Sequence, residues 1–263
     1  MVTKQQAEDA QIAEHAAPMH AGDGPVGVLL CHGFTGSPWP LRPWAEHLVE
    51  AGYRVSLPLW PGHGTTWQQL NQTDWQEWYA AAETALRELR QHCETVFVGG
   101  LSMGGGLALR LAERLGSDVS GLVLVNPAIA LADKRLLALP VLSRVVPSLG
   151  AIGNDIAKPG ASEYAYRRTP LKALYSQTMM WADIRANLAR VNQPILMFRS
   201  EQDHVVDGSS ARLILAGVSS SEVTERLLTR SYHVATLDHE AEDIFNESVE
   251  FIRRHTAAGD DPR

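Results

Sequence analysis

Short, continuous apolar segments alternate with longer segments of helical periodicity along most of this chain. The apolar segments have the length of strands and little polar alternation, which is typical of a parallel sheet covered by helices on both faces. They are Val26–His32, Arg54–Leu59, Thr95–Leu101, Gly121–Asn126, Ile195–Arg199 and Thr224–Thr229. The helical patterns cover Trp39–Ala51, Thr73–His92, Met103–Leu115, Ser209–Ala216 and Ala241–His255. The sequence therefore predicts an α/β fold with a mostly parallel central sheet flanked by helices.

One region breaks this alternation. Residues 128–188 contain four prolines, several glycines and an apolar stretch from Leu136 to Leu149. A long insertion between two strands of a compact domain is usually functional, as lids are. We expect this insertion, called the cap below, to cover the functional site. The predicted organisation is an N-terminal extension (1–24), a core (25–127 and 189–256), the cap (128–188) and a C-terminal tail (257–263).

Composition excludes several classes of protein. The 263 residues are 45% hydrophobic and 20% charged, which is normal for a folded domain of this size. The net charge of −7 and the lack of a basic tract argue against nucleic acid as a partner. The N-terminus has no signal-peptide pattern and no apolar run is long enough to span a membrane, so we expect a cytoplasmic protein.

The two cysteines provide neither a disulfide framework nor a metal-binding pair. Cys31 lies inside an apolar strand segment and reads as a small buried residue, and Cys93 stands alone. A thiol within a strand is more often inert than nucleophilic. We therefore expect no metal site at these positions.

The segment Thr95–Gly106 carries the strongest chemical signal. It contains G-x-S-x-G as Gly100-Leu101-Ser102-Met103-Gly104, preceded by an apolar β-branched run and followed by a helical pattern. This context predicts a nucleophile elbow, in which a serine sits on a sharp strand-to-helix turn. The flanking glycines are needed because a side chain there would collide with the turn. Ser102 is the predicted nucleophile.

A serine hydroxyl needs a base and an acid, which follow it along the chain in this type of fold. The best candidate for the acid is Asp203, which follows the strand ending near Arg199, because catalytic groups project from the carboxyl ends of parallel strands. Glu201 and Asp207 are alternatives in the same loop.

The predicted base is His233, which follows the last strand. One ring nitrogen would bind the carboxylate of Asp203 and the other would face Ser102. His204 is too close to the acid in sequence for this geometry, and His239 reads as a solvated residue of the next segment.

Stabilisation of a tetrahedral intermediate requires two backbone amides. One is expected to be the N–H of Met103, directly after the nucleophile. The second is expected from the loop His32-Gly33-Phe34-Thr35-Gly36, where Gly33 lets the backbone turn inward and Phe34 supplies the amide. We expect His32 to brace this loop, and we assign no chemistry to Gly62-His63-Gly64.

These motifs resemble the α/β-hydrolase superfamily. Together with Asp203-His204-Val205-Val206 and Tyr232-His233-Val234-Ala235-Thr236-Leu237-Asp238, they are similar to the bacterial monoacylglycerol lipases and the related small thermostable carboxylesterases. The resemblance covers nearly the whole chain after Pro25 and is weakest over 128–156. It implies a serine esterase of small lipid esters that uses no metal or organic cofactor.

The resemblance also implies specific roles. Ser102, Asp203 and His233 would form the triad, with oxyanion amides from Phe34 and Met103. The segment Glu163-Tyr164-Ala165-Tyr166-Arg167-Arg168-Thr169-Pro170 is similar to the cap of that family, so Glu163 would accept hydrogen bonds from an alcohol such as glycerol. The alternative for Glu163 is an ordinary surface ion pair with Arg167, four residues later.

Other functions stay open from the sequence. The stretch from Leu136 to Leu149 would form the mouth of an acyl tunnel and touch lipid surfaces transiently, or would simply form the core of the cap. The same triad serves short-chain carboxylesterases, thioesterases, and hydrolases of carbon–carbon or small peptide bonds. A ligand-binding receptor on a hydrolase scaffold is the alternative of a different class. Dehalogenases and epoxide hydrolases are disfavoured, because they need a carboxylate where Ser102 stands.

Overall fold

The computed structural model describes residues 12–151 and 153–257. Its strands are β1 (Met19–Ala21), β2 (Val26–Cys31), β3 (Arg54–Leu57), β4 (Thr95–Leu101), β5 (Gly121–Val125), β6 (Ser148–Gly150), β7 (Arg168–Pro170), β8 (Ile195–Ser200) and β9 (Val223–Leu228). Its helices are α1 (Arg42–Glu50), α2 (Trp67–Leu70), α3 (Trp75–Arg90), α4 (Met103–Leu115), α5 (Leu139–Val145), α6 (Leu171–Asn187), α7 (Ser209–Gly217) and α8 (Ala241–Ala257).

The main sheet has the strand order β1-β3-β2-β4-β5-β8-β9, and all neighbours except β1 and β3 run parallel. The predicted mostly parallel sheet is therefore confirmed. Every residue of β2 and of β5 is buried, as expected for central strands covered on both faces. The carboxyl ends of these parallel strands meet along one edge, where loops carrying functional groups converge.

Strand β1 corrects the predicted N-terminal extension. Residues 1–24 were expected to lie outside the core, but Met19–Ala21 pairs with β3 in antiparallel register, Met19 opposite Leu57. A three-residue edge strand has too few positions to show a period in the sequence. The predicted tail 257–263 lies, apart from the backbone of Ala257, outside the described residues, as do the first eleven residues.

Helices cover both faces of the sheet. One apolar core lies between the sheet and α3, α4, α6 and α7, and the other between the sheet and α1 and α8. Helix α4 is buried at eleven of its thirteen positions, which explains why its sequence is apolar on nearly every side. A helix so enclosed gives the turn that precedes it a rigid support.

Helix α3 is capped at its N-terminus by two acidic residues. The Asp74 side chain caps the helix by accepting from the Glu77 N–H at 3.1 Å, and the Glu77 carboxylate accepts from the Asp74 N–H at 3.0 Å. This reciprocal capping box pairs two N–H groups that have no partner within the helix. The helix therefore starts two residues later than the predicted Thr73.

The cap region, residues 128–188, contains two kinds of structure. After β5 the chain forms a 3-10 turn at Lys134–Ala138, then α5, and then the two-stranded β6–β7 sheet. A loop between β6 and β7, called the cap loop (residues 153–167), packs back on the core. Helix α6 packs against α4 and α3, so the last third of the region belongs to the helical layer of the core.

No helix among residues 12–151 and 153–257 combines the length and apolar character that crossing a membrane requires.

Candidate active site

Ser102 sits on the turn that joins β4 to α4. Its backbone has φ 57° and ψ −119°, a conformation that a non-glycine residue rarely adopts. The Ser102 N–H donates to the Val125 carbonyl at 3.0 Å, and the Ser102 carbonyl accepts from the Ala128 N–H at 3.0 Å. Both bonds go to the end of β5 and the residues after it, which hold the strained turn in place.

The glycines of the turn are required by contact. A Cβ atom on Gly104 would lie 1.8 Å from the Cys31 carbonyl oxygen, and one on Gly100 would lie 2.3 Å from the carbonyl carbon of Gly104. A Cβ on Gly105 would lie 2.8 Å from the Pro127 Cβ. Helix α4 thus approaches the end of β2 so closely that only glycine fits, which agrees with the steric argument from the sequence.

The structure brings His233 and Asp203 together. The His233 Nδ1 atom lies 2.8 Å from an Asp203 carboxylate oxygen, and both side chains are almost fully buried. The other Asp203 oxygen accepts from the N–H groups of Val205 and Val206 at 2.8 and 2.7 Å. Because Asp203 accepts from two fixed amides, its orientation toward the imidazole is fixed as well.

The two alternative acids lie elsewhere in the same loop. Asp207 accepts from the N–H groups of Ala132 and Ser209, and Glu201 is exposed at the end of β8. His204, the discarded alternative base, is exposed and pairs with Asp155.

The Ser102 and His233 side chains line the same cavity, whose volume is about 380 Å³. Its apolar wall includes Leu136, Leu139, Leu142, Leu149, Leu171, Leu174, Trp181, Val205 and Val206. Four of these residues come from the stretch Leu136–Leu149 singled out in the sequence. The cavity has the character of a site for an apolar chain, because most of its lining side chains are apolar.

Burial and charge act in opposite directions on His233. Burial by itself lowers the pKa of the imidazole, but the carboxylates of Asp203, Glu163 and Asp155 outweigh it and raise the pKa above its ordinary value. The site therefore favours the protonated imidazole more than water does, which suits a base that must take up a proton during a reaction.

The loop after β2 lies against the serine. A Cβ on Gly33 would be 3.6 Å from the Ser102 Cβ, so the backbone of Gly33 passes beside the nucleophile candidate. Phe34 lines the cavity, and its ring contacts Trp78 at 5.9 Å between centroids. Met103, the other predicted amide donor, begins α4 and is fully buried.

His32 braces this loop in a defined tautomer. Its Nε2 accepts from the Trp60 N–H at 3.2 Å, so Nδ1 carries the proton that is donated to the Gly33 carbonyl at 3.0 Å. Burial lowers the pKa of His32 well below its ordinary value, and the neighbouring His63 lowers it further. His32 is therefore a neutral structural link, as the sequence analysis expects.

Two buried polar residues that hold the site have no assigned role from the sequence. Asn126, at φ 44°, donates from Nδ2 to the His233 carbonyl at 2.8 Å and accepts from the Ser200 N–H at 2.7 Å. It joins the ends of β5 and β8 to the loop of the base. In the sequence, Asn126 is the last residue of the predicted strand Gly121–Asn126. That position at the end of a buried strand was the one signal of a role in the site.

The second such residue is Asp238. Its two carboxylate oxygens accept from four N–H groups, those of Ala157, Lys158, Tyr232 and His239, at 2.7 to 2.9 Å. It therefore fastens the cap loop to the segment that carries His233. The sequence shows Asp238 only as part of a motif, because its partners lie as far as 81 residues away.

Glu163 lies beside the base at the cavity wall. Its carboxylate accepts from the Asn154 N–H, and its own N–H donates to the Asn154 side chain at 2.9 Å. Burial raises the pKa of Glu163, while the Asn154 amide and His233 lower it. Residues 163–167 are not helical, and Tyr164 has φ 51°, so the i,i+4 argument for a surface pair with Arg167 does not apply.

Cys31 is fully buried in β2, and burial raises the pKa of its thiol. Cys93 is also a free thiol. Among residues 12–151 and 153–257, no three His, Cys, Asp or Glu side chains are arranged to hold a metal ion.

Comparison with known proteins agrees with this geometry. A model of the hydrolase family described as serine aminopeptidase, S33, matches residues 26–240. A thermostable monoacylglycerol lipase from Bacillus sp. (strain H-257) is 41% identical over 94% of this chain and 98% of its own length. A carboxylesterase from Bacillus subtilis is 25% identical over 88% of this chain and 94% of its own length.

Solved structures show the same likeness. A structure from work on the metagenome-derived lipolytic enzymes LipS and LipT is 37% identical, with a TM-score of 0.89 over 92% of this chain and 98% of that one. The monoacylglycerol lipase of Paleococcus ferrophilus, at 21% identity, has a TM-score of 0.76 over 91% of this chain and 99% of that chain. At that lower identity the likeness concerns the fold.

Proposed function

Since this chain belongs to the family of serine hydrolases described as serine aminopeptidase, S33, we propose that it cleaves carboxylic esters of small lipids, and monoacylglycerols in particular, to an alcohol and a fatty acid. The predicted α/β-hydrolase fold and the predicted hydrolase class are both confirmed by that membership. The substrate class is inferred from the apolar cavity that Ser102 and His233 both line. The likeness of this chain to a monoacylglycerol lipase, over nearly its whole length, supports the same substrate class.

The proposed reaction proceeds through an acyl-enzyme. The Ser102 oxygen attacks the ester carbonyl while His233 takes its proton at Nε2, with Nδ1 held by Asp203. The C–O bond to the alcohol breaks, and His233 returns the proton to the leaving oxygen. A water molecule then attacks the acyl-enzyme by the same route and releases the fatty acid and free Ser102.

The oxyanion of each tetrahedral intermediate is proposed to rest on the N–H groups of Phe34 and Met103. The support is the close approach of Gly33 to Ser102 and the start of α4 at Met103. Helix N-termini favour negative charge, and two fixed amides stabilise it without reorganisation. Side-chain changes at Phe34 should then act through the shape of the cavity.

We propose that the acyl chain occupies the apolar part of the cavity and that Glu163 receives the alcohol. Leu136, Leu139 and Leu142 line the cavity together with Ser102. Of the two acids of the cap loop, Glu163 lines the cavity, and its negative charge helps to raise the pKa of His233. A carboxylate is a strong acceptor for the hydroxyl groups of glycerol.

Contact with a lipid surface is part of the proposal. One side of the 3-10 turn and of α5 faces the cavity. On the other side Leu137, Val141 and Val145 are 84%, 69% and 74% exposed. Exposed apolar groups gathered on one element favour insertion into a lipid interface. Such contact would let substrate pass from the lipid phase into the cavity. The cytoplasm is the proposed location of the enzyme.

The decisive experiment measures hydrolysis of mono-, di- and triacylglycerols of graded chain length, with p-nitrophenyl butyrate and an amino-acid p-nitroanilide as further substrates. We expect monoacylglycerols to be preferred. Labelling by a fluorophosphonate probe should be stoichiometric and absent in Ser102→Ala. Failure to label would favour a ligand-binding receptor, and preference for the anilide would favour a peptidase.

The proposed role of Glu163 has its own test. Glu163→Gln should lower kcat/KM for monoacylglycerols by about tenfold, because one charge-assisted hydrogen bond to the alcohol is weakened, while p-nitrophenyl butyrate is hydrolysed at a similar rate. Asp133→Asn is the matched control, since Asp133 also lines the cavity but pairs with Arg135. An unchanged preference in Glu163→Gln would contradict the role.

A further inference from the structure

Asp155, in the cap loop, binds the backbone of two loops, the one that carries Asp203 and the one that carries His233. Asp155 accepts through Oδ2 from the His233 N–H at 3.2 Å and from the His204 N–H at 3.1 Å. Its backbone carbonyl accepts from the Val234 N–H at 3.1 Å. A single residue therefore binds the residue after Asp203, His233 itself and the residue after His233.

The second oxygen of Asp155 is also in use. It lies 2.8 Å from Nδ1 of His204, whose ring meets the Tyr232 ring edge-on at 4.7 Å. The Asp155 side chain is only 11% exposed, whereas that of His204 is 56% exposed. The carboxylate is thus buried between the loop after β8 and the loop after β9, and its orientation is fixed by three donors.

The position of Asp155 is set by its neighbour in the cap loop. Asn154 has φ 60° and exchanges two hydrogen bonds with Glu163, one through its side chain and one through its N–H. This closes residues 154–163 into a compact loop. Because the same loop carries Glu163, the proposed alcohol acceptor, it joins the substrate end of the site to the backbone of the base.

We infer that Asp155 is a positioning residue, which holds the loop of Asp203 and the loop of His233 in register so that the imidazole stays aligned for proton transfer. The inference rests on the proposed function of the triad. Asp155 touches no reacting atom. It acts through the backbone of His233, from a part of the chain that lies 78 residues away.

Asp155 also contributes charge to the site. The ionisable groups that face His233 are Asp203, Glu163 and Asp155, and each of them opposes the effect of burial by raising the pKa of the imidazole. Removal of the negative charge at Asp155 should therefore lower the pKa of His233. Since the base works when neutral, the acidic limb of the rate profile should move to lower pH.

The experiment compares Asp155→Asn and wild type on p-nitrophenyl butyrate. We expect kcat to fall about tenfold with little change in KM, because misalignment of a reacting group is costly. We also expect the acidic limb of kcat/KM to move down by about half a pH unit. A residue that serves only the fold would lower the yield of active enzyme and leave the limb in place.

Two further variants separate charge from geometry. Asp155→Glu keeps the charge but lengthens the side chain, so its kcat should fall while the acidic limb stays near that of wild type. Asp207→Asn is the matched control. Asp207 lies in the same loop as Asp203 and also accepts from backbone N–H groups, but these belong to Ala132 and Ser209. Its acidic limb and kcat should stay within about twofold of wild type.

Each outcome decides the inference. A wild-type limb and kcat in Asp155→Asn would overturn it, as would an equal shift in Asp207→Asn. If Asp155→Asn does not fold, Asp155→Glu decides, and an unchanged kcat there would count against positioning. A wild-type enzyme that cleaves p-nitrophenyl butyrate but no monoacylglycerol would instead refute the proposed substrate and leave the inference about Asp155 intact.

Discussion

The imidazole of His233 lies in a buried site that contains more negative charge than a single partner supplies. Burial lowers its pKa, but Asp203, Glu163 and Asp155 raise it above the ordinary histidine value. A protonated base is inactive, so activity is lost as the pH falls through this raised pKa. We expect the acidic limb of kcat/KM for a soluble ester to have its midpoint above about 6.5, the value of an unperturbed histidine.

His32 gives this prediction a check within the same molecule. It lies beside the proposed oxyanion loop, but burial keeps its pKa well below the ordinary value, so it does not titrate in the range of the acidic limb. The pH profile should therefore fit one ionisation on its acidic side. A midpoint below that of free histidine would mean that burial outweighs the three carboxylates.

The turn that holds Ser102 has no room for one added side-chain atom at Gly104. In Gly104→Ala the new Cβ would lie 1.8 Å from the Cys31 carbonyl oxygen, so α4 must move away from β2. Backbone atoms cannot yield as a flexible side chain can, and we expect a loss of about 3 kcal/mol in the free energy of unfolding together with loss of activity. Urea denaturation measures the first and ester hydrolysis the second.

Gly150→Ala is the control for that substitution, because a Cβ there would meet nothing within 4 Å. Its free energy of unfolding should change by less than about 1 kcal/mol. Equal stability of the two variants would show that the close approach of α4 to β2 is not what fixes the turn.

At the scale of elements, α5 has two apolar sides with different tasks. One side lines the cavity, and the other exposes Val141 and Val145. If the exposed side enters a lipid interface, each valine gains about 1–2 kcal/mol from burial. The double substitution Val141→Ser with Val145→Ser should therefore lower affinity for phosphatidylcholine vesicles at least tenfold, or about 1.4 kcal/mol, while p-nitrophenyl butyrate is cleaved as before.

The matched control lies on α7, where Leu213 and Leu215 are 39% and 42% exposed but do not line the cavity. Serine at both positions should leave vesicle binding unchanged. Equal loss of binding in both double variants would indicate general stickiness of exposed apolar groups rather than docking through the cap.

The elements differ in how far the sequence determines them. Strand β4 and helix α4 have the predicted boundaries, Thr95–Leu101 and Met103–Leu115, because their signals are local: a continuous apolar run, a serine between glycines, and a final Gly116. Strand β1 was missed, because three residues at an edge carry no period. The short helix α2 was missed for the same reason.

The residues of the candidate site also differ in how far the sequence determines them. Ser102, Asp203 and His233 each follow a strand, so their order and position were readable from the sequence. Asp155 was not, because it lies in a loop without regular structure and its partners His204, His233 and Val234 are 49 to 79 residues away. Contacts of that kind arise only when the cap loop packs on the core, and no local pattern of residue types encodes them.

At the scale of the whole molecule, the question is whether cap and core are one cooperative unit. Several fixed contacts join them. Tyr166 of the cap loop donates to the Gly62 carbonyl at 3.0 Å and accepts from the Thr65 N–H at 2.8 Å, and its N–H donates to the Thr35 carbonyl. The turn at Gly62, which was given no chemistry, thus serves as an attachment point for the cap.

Asp238 is a further attachment of the cap loop to the core. Its carboxylate accepts from four N–H groups, two in the cap loop, that of Tyr232 beside the base and that of His239, and the residue is 2% exposed. In Asp238→Asn one oxygen becomes an NH₂ group that faces N–H donors, which leaves buried donors unpaired. We expect a loss of about 3 kcal/mol in the free energy of unfolding, since each unpaired buried group costs about 1–3 kcal/mol.

If cap and core unfold together, that loss should appear as one shifted urea transition seen alike by tryptophan fluorescence and by far-ultraviolet circular dichroism. Glu247→Gln is the control, since Glu247 forms a surface pair with Arg226 and should change stability by less than about 1 kcal/mol. Two separate transitions in Asp238→Asn, with the core transition unchanged, would show that the cap is an independent unit. In that case the alignment of His233 could not depend on a cap loop that melts before the core.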